Sequence, residues 1–134
     1  MKVPAPRRPE GPIRVLVVED DAVVAGFIEA ILEMAGYQVF RAADGEEAVR
    51  IAHDVSPDVV TLDVMMPGID GWEVAHQLRL DEVTASTRIV MISATPPNEL
   101  TERARREPVQ AVLSKPFDFA ALVEVVEQTL AFAA

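Results

Sequence analysis

Several polar residues fall where short apolar runs end. Glu19, Asp20 and Asp21 follow the run Ile13–Val18, Asp63 closes the stretch Asp58–Asp63, Ser93 closes Arg88–Ser93, and Lys115-Pro116 follows Gln110–Ser114. Brought together, carboxylates repel, and one close pair costs about 4 kcal/mol at an effective dielectric of about 20. Such a group either keeps a proton or surrounds a cation. Hard oxygen donors without histidine or thiolate favour Mg2+, with Mn2+ as the alternative. Glu19, Asp20 and Asp63 are the candidate ligands. Asp21 lies beside the start of the next helical stretch and reads as its cap.

Lys115 stands out by usage, because the chain has ten arginines and only two lysines, the other being Lys2. A compact ammonium suits a phosphoryl oxygen better than a planar guanidinium fork does. His53 and His76 fall on predicted helices away from these loops and read as surface residues.

The elements that must position these groups follow from periodicity. Ile13–Val18 is rich in β-branched residues, the pattern of a strand buried on both faces. Val24, Phe27, Ile28, Ile31 and Leu32 recur at helical spacing, and Gly36 closes that helix. Strands follow at Gln38–Ala42, Asp58–Asp63, Arg88–Ser93 and Gln110–Ser114. The intervening helices run over Asp44–His53, from an Asp70 cap to Arg79, and from Pro96-Pro97 to about Arg106; Phe119, Leu122, Val123, Val126 and Leu130 mark the last one. Strict alternation predicts an α/β fold, (βα)5, with a doubly wound five-stranded parallel sheet between helix layers. In such sheets ligands bind beyond the carboxyl ends of the strands, where Glu19, Asp20, Asp63, Ser93 and Lys115 are expected.

The segments Val17-Val18-Glu19-Asp20-Asp21, Leu62-Asp63-Val64-Met65-Met66-Pro67-Gly68, Ser93-Ala94 and Lys115-Pro116-Phe117 resemble, in order and spacing, the receiver domain of two-component response regulators. The resemblance covers residues 13–132 and implies the flavodoxin-like CheY fold with strand order 2-1-3-4-5. It further implies that Asp63 is the phosphoacceptor. Asp20, Asp63 and the backbone carbonyl of Met65 would hold Mg2+ directly, and Glu19 would act through water. Lys115 would pair with a phosphoryl oxygen, Ser93 would hydrogen-bond another, and the Ala94 N–H would assist. It implies a cis Lys115–Pro116 bond, and Gly68 and Gly71 fit tight turns beside the site. The phosphodonor would be a histidine kinase or a histidine phosphotransfer protein. Output would pass to a downstream protein through the face of the fourth helix, fifth strand and fifth helix.

Departures from that pattern bear on switching. Val112 stands where the family usually has an aromatic residue, and Pro108-Val109 replaces a common Gly-Ala. Val112 has no ring to swing, and Pro96 and Pro97 restrict the backbone after Ser93, so a small backbone shift or altered order of that face is the expected response. Thr61 reads as a satisfied core hydroxyl. Two rival functions share parts of the pattern. An aspartate-nucleophile phosphohydrolase would place a second Asp two residues after the nucleophile, where Met65 stands; a phosphorylation-independent interaction module would have an unreactive Asp63.

Composition narrows the classes further. The chain has 134 residues, half of them hydrophobic, and no cysteine, which excludes disulfides and thiolate chemistry and is compatible with the cytoplasm. Its net charge of −10 disfavours nucleic acid and anionic membranes as partners. Arg103, Arg105 and Arg106 form the one basic cluster and read as a solvated helix face. No apolar run reaches the roughly 20 residues of a membrane span. Residues 1–12, with Pro4, Pro6, Pro9 and Pro12, read as a flexible tail before a domain at 13–132. No output domain follows the last helix, so output is expected through a partner or through a longer chain of which this is a part.

Overall fold

A computed structural model describes residues 7–8 and 11–131. Its elements run β1 (Arg14–Val18), α1 (Ala22–Met34), β2 (Gln38–Ala42), α2 (Gly45–Val55), β3 (Val59–Asp63), α3 (Gly71–Leu80), β4 (Arg88–Ser93), α4 (Pro97–Ala104), β5 (Ala111–Ser114) and α5 (Phe119–Ala131). All pairings in the sheet are parallel, as the alternation predicts, and the strand order is β2-β1-β3-β4-β5, as the resemblance implies.

Side chains alternate across the strands and divide the core in two. Leu16, Val18, Val60, Leu62, Ile89 and Met91 pack toward Ala48 and Ala52 of α2, Trp72 and Leu78 of α3, and Leu100 of α4. Val15, Val17, Val59, Val90 and Ile92 pack toward Ile28 and Leu32 of α1 and Leu122 and Val126 of α5. With apolar residues wanted on both faces, β3 is buried at all five positions.

The helices start where short polar side chains satisfy free N–H groups. Asp21 accepts from the N–H groups of Val23 and Val24 (2.9 and 3.2 Å). Asp44 accepts from Glu47 N–H at 2.8 Å, and Asp70 from Glu73 N–H at 2.9 Å. α4 differs: Pro96 occupies its cap and makes no side-chain bond. Gly36, at φ 98°, ends the turn after α1 in a conformation that favours glycine.

Two expectations change. Thr61 Oγ1 is buried without a hydrogen-bond partner among the described residues, so it is not a satisfied hydroxyl. Its strand neighbours are Val17 and Val90, which offer only hydrocarbon side chains, while the surrounding backbone groups are taken by the ladder. Within the proline-rich segment, Arg7–Arg8 pairs antiparallel with Gly11–Pro12. Two residues per strand are too few for any periodic signal, and Gly11 at φ 144° takes a backbone conformation that few other residues adopt. The rest of the tail reading lies outside the described residues.

Candidate metal and phosphoryl site

β1 and β3 are neighbours in register, Val18 opposite Leu62, so the residues just beyond them emerge side by side. This register brings carboxylate oxygens of Glu19, Asp20 and Asp63 within 4.8 Å of one another. Glu19 and Asp63 are buried, whereas Asp20 is exposed at the rim. Backbone donors fix the two buried acids: Asp21 N–H donates to Glu19 Oε2 (3.2 Å) and Met65 N–H to Asp63 Oδ1 (3.3 Å). Asp20 has no protein hydrogen bond among the described residues, which leaves its oxygens open toward solvent.

The loop after β3 is held against the site by its glycines. Gly68 sits at φ 79°, where a side chain is strained. Gly71 serves a different need from the tight turn its sequence suggests. A Cβ there would overlap the Asp63 carbonyl oxygen and stand 2.9 Å from Val64 Cα, so only glycine lets α3 begin against the end of β3. Gly45, which the sequence did not single out, plays the same part between α2 and Ile69.

Lys115 enters from β5, after the peptide N–H of Lys115 bonds Ser93 O at 2.8 Å. The Lys115–Pro116 bond is cis, as the resemblance implies. Its Nζ donates to Glu19 Oε1 at 2.9 Å and lies 3.5 Å from Asp63 Oδ2. Partial burial penalises this ammonium, but its hydrogen bond to Glu19 and the charges of Asp63 and Glu19 outweigh it, and the Lys115 pKa is raised. The ammonium therefore stays charged at neutral pH. Its direct pairing with Glu19 is a contact between residues 96 positions apart that sequence reasoning did not foresee.

Ser93 is fully buried at the end of β4, with Ala94 exposed after it. The Ser93 hydroxyl donates to Thr95 Oγ1 (2.8 Å) and accepts from Thr95 N–H (3.0 Å). Met65 is exposed at the mouth. The histidines lie on the outer helices: His53 contacts Asp81 at 2.6 Å and His76 contacts Glu107 at 2.7 Å. Arg105 and Arg106 are exposed and face Glu102, in keeping with a solvated face, while Arg103 bonds Glu107 and lies over the Trp72 ring.

The donor set suits a hard divalent cation. Three carboxylates converge on one small space with no histidine or cysteine in the group among the described residues, and one of the three is open to solvent.

Comparison with known proteins gives the same answer. Residues 15–127 match the family profile described as the response regulator receiver domain. The DNA-binding dual master transcriptional regulator RpaA of Synechocystis is 35% identical over 105 residues, which span 78% of this chain but only 44% of RpaA. Protein PilH of Pseudomonas aeruginosa is 30% identical, over 88% of this chain and 98% of PilH. Among solved structures, the receiver domain of the sensor histidine kinase PA1611 from the same bacterium superposes with a TM-score of 0.82 at 29% identity. It covers 90% of this chain and 99% of its own, and has a magnesium ion coordinated in its active-site cleft. Among the described residues no helix is long and apolar enough to cross a membrane. The chain belongs to the response regulator receiver domain family, the phosphoryl-accepting switches of two-component signalling.

Proposed function

We propose that Asp63 is the phosphoacceptor of this receiver. The observation that carries the reading is the convergence on one buried carboxylate of a raised-pKa lysine at 3.5 Å and two further acids. An Asp63 oxygen attacks the phosphorus of a phosphohistidine on a kinase or phosphotransfer protein. The phosphorus–nitrogen bond breaks and its electron pair leaves with the imidazole. Lys115, charged and pre-aimed, exchanges part of its contact with Glu19 for a phosphoryl oxygen, and Ser93 and the Ala94 N–H offer further donors. Asp20, Asp63 and the Met65 carbonyl would hold Mg2+, or Mn2+, with Glu19 acting through water. The ion would neutralise charge gathering on the phosphoryl oxygens.

The donor meets an apolar rim. Val23, 82% exposed, and Phe27 project from the first two turns of α1, directly after Asp20 and Asp21. An output partner would read α4, β5 and α5. The domain modifies itself rather than turning over a substrate, since Met65 stands where a hydrolase would keep a proton-donating acid. Its net charge of −10 disfavours nucleic acid as a direct partner, and a cytoplasmic setting suits its acidic, cysteine-free composition.

The test is incubation with phosphoramidate or acetyl phosphate and Mg2+, followed by intact-mass measurement and peptide mapping. The expected result is a single phosphate adduct on Asp63 that requires Mg2+ and is removed by hydroxylamine. An adduct that persists in Asp63→Asn overturns the assignment.

A further inference from the structure

Val112 packs partly buried against the same cluster as Leu100, but it has neither a ring nor a hydrogen-bonding group to follow Ser93. The contacts of Ser93 lead elsewhere. Both bonds of its hydroxyl go to Thr95, one to the side chain and one to the backbone N–H. Thr95 in turn stands directly before Pro96 and Pro97. A residue before proline is confined to extended backbone, and each proline ring fixes its own φ. Pro96 caps α4 at φ −51°, and its carbonyl accepts the N–H of Leu100 at 3.0 Å. Leu100 is the one buried residue of α4. A continuous path thus runs from the Ser93 hydroxyl to the anchor of α4 with few soft torsions along it.

We propose that Thr95 is a positioning residue that carries the response of Ser93 to a phosphoryl group into α4. The inference rests on the reading of Asp63 as phosphoacceptor and names the residue through which that site is coupled to the outer face. A serine hydroxyl has one proton to donate and two lone pairs. A phosphoryl oxygen, bearing charge, is a stronger acceptor than Thr95 Oγ1 and takes that proton. The Thr95 hydroxyl then turns from acceptor to donor, and its N–H keeps hold of Ser93 Oγ. The two residues therefore respond as a pair, and the Pro96-Pro97 pair passes the displacement to the helix.

The protein carries its own reporter. Trp72 is the only tryptophan, and the Arg103 guanidinium on the last turn of α4 lies 4.8 Å from its ring centroid. Trp72 emission therefore reads how α4 is seated on α3. The experiment titrates Mg2+ with trifluoroberyllate, a stable phosphoryl mimic, and follows uptake by fluorine NMR and emission in parallel. The parent protein is expected to take up the mimic and shift its emission. Thr95→Val keeps the shape but removes the hydroxyl. It is expected to bind the mimic within about threefold of the parent, a change below 1 kcal/mol, while losing about half or more of the emission change. Thr95→Ser is expected to restore the response. Full emission change in Thr95→Val, or no rescue by Thr95→Ser, overturns the coupling through Thr95. Uptake by the parent with no emission change overturns it as well, leaving the phosphoacceptor reading intact. Failure of the parent to take up the mimic overturns both.

Discussion

The two halves of the site are built differently. On the β1–β3 side the acids grow from two strands that are buried at nearly every position, and Glu19 and Asp63 are pinned by backbone N–H groups and by Lys115. On the β4–β5 side, β5 is only partly buried at all four positions, and α4 has one buried residue and no side-chain cap. The contrast separates two demands. Transfer of a phosphoryl group needs charges held in place before the reaction begins. A response needs an element whose seat is only marginally stable, so that a differential interaction of a few kcal/mol can shift it.

The strongest way to break this contrast is to delete equivalent leucines. Leu62 and Leu100 are both essentially inaccessible. Leu62→Ala should cost about 4 kcal/mol of global stability, and Leu100→Ala about 2 kcal/mol, within the range for buried leucines. Urea unfolding gives the totals. Hydrogen exchange should show α4 amides opening in Leu100→Ala while β3 stays protected. Similar exchange in both elements would erase the distinction.

A second test addresses the fixed half. At about 100 times its dissociation constant, Mg2+ should stabilise the native state by about 2.7 kcal/mol. Calorimetry with and without the ion reads this directly. Asp20→Ala should abolish the ion-dependent rise and, by relieving repulsion, raise the melting temperature without Mg2+.

Thr61→Val sharpens the picture of the buried strand. Removing an unpartnered buried hydroxyl while keeping the shape should stabilise the domain by about 1 kcal/mol in urea unfolding. Unchanged or lower stability would mean the hydroxyl has a partner after all.

The smallest effect lies on the outer helices. The hydrogen bond to Asp81 raises the His53 pKa above 6.5, and the same bond lowers that of Asp81. The raised histidine contributes stability below about pH 6.5, which is lost as pH rises through its shifted pKa. The depressed carboxylate contributes above its usual range and loses that contribution as pH falls. NMR titration of the His53 ring should show the raised value, and Asp81→Asn should return it toward 6.5.

Much of this was legible in the sequence, for identifiable reasons. Strands buried on both faces appear as β-branched runs, and parallel topology forces their polar terminal residues to one edge, so Glu19, Asp20, Asp63, Ser93 and Lys115 could be placed without coordinates. Less legible were contacts that depend on how α4 and the turn after it sit against α3. His76 meets Glu107 across 31 residues, and Arg103 covers Trp72; each of these reads alone as a surface charge or a core ring. Thr61 misled for a related reason. A threonine in a strand signals its β-branched shape, and nothing in the sequence says whether an acceptor lies opposite its hydroxyl. The need for Gly45 was equally hidden, because it arises from the approach of α2 to Ile69 rather than from its own turn.

The scarcity of lysine has a practical consequence. Beyond the N-terminal segment, Lys115 is the only primary amine on a side chain, so acylating reagents have a single target in the folded domain. Such reagents attack the neutral amine, and the pairing with Glu19 and Asp63 keeps that form rare. The labelling rate at Lys115 thus becomes a footprint of the electrostatics inside the acidic cleft, measurable by mass spectrometry on unmodified protein. Glu19→Gln should quicken labelling by removing a negative partner, whereas a phosphoryl group, which supplies new negative oxygens, should slow it further.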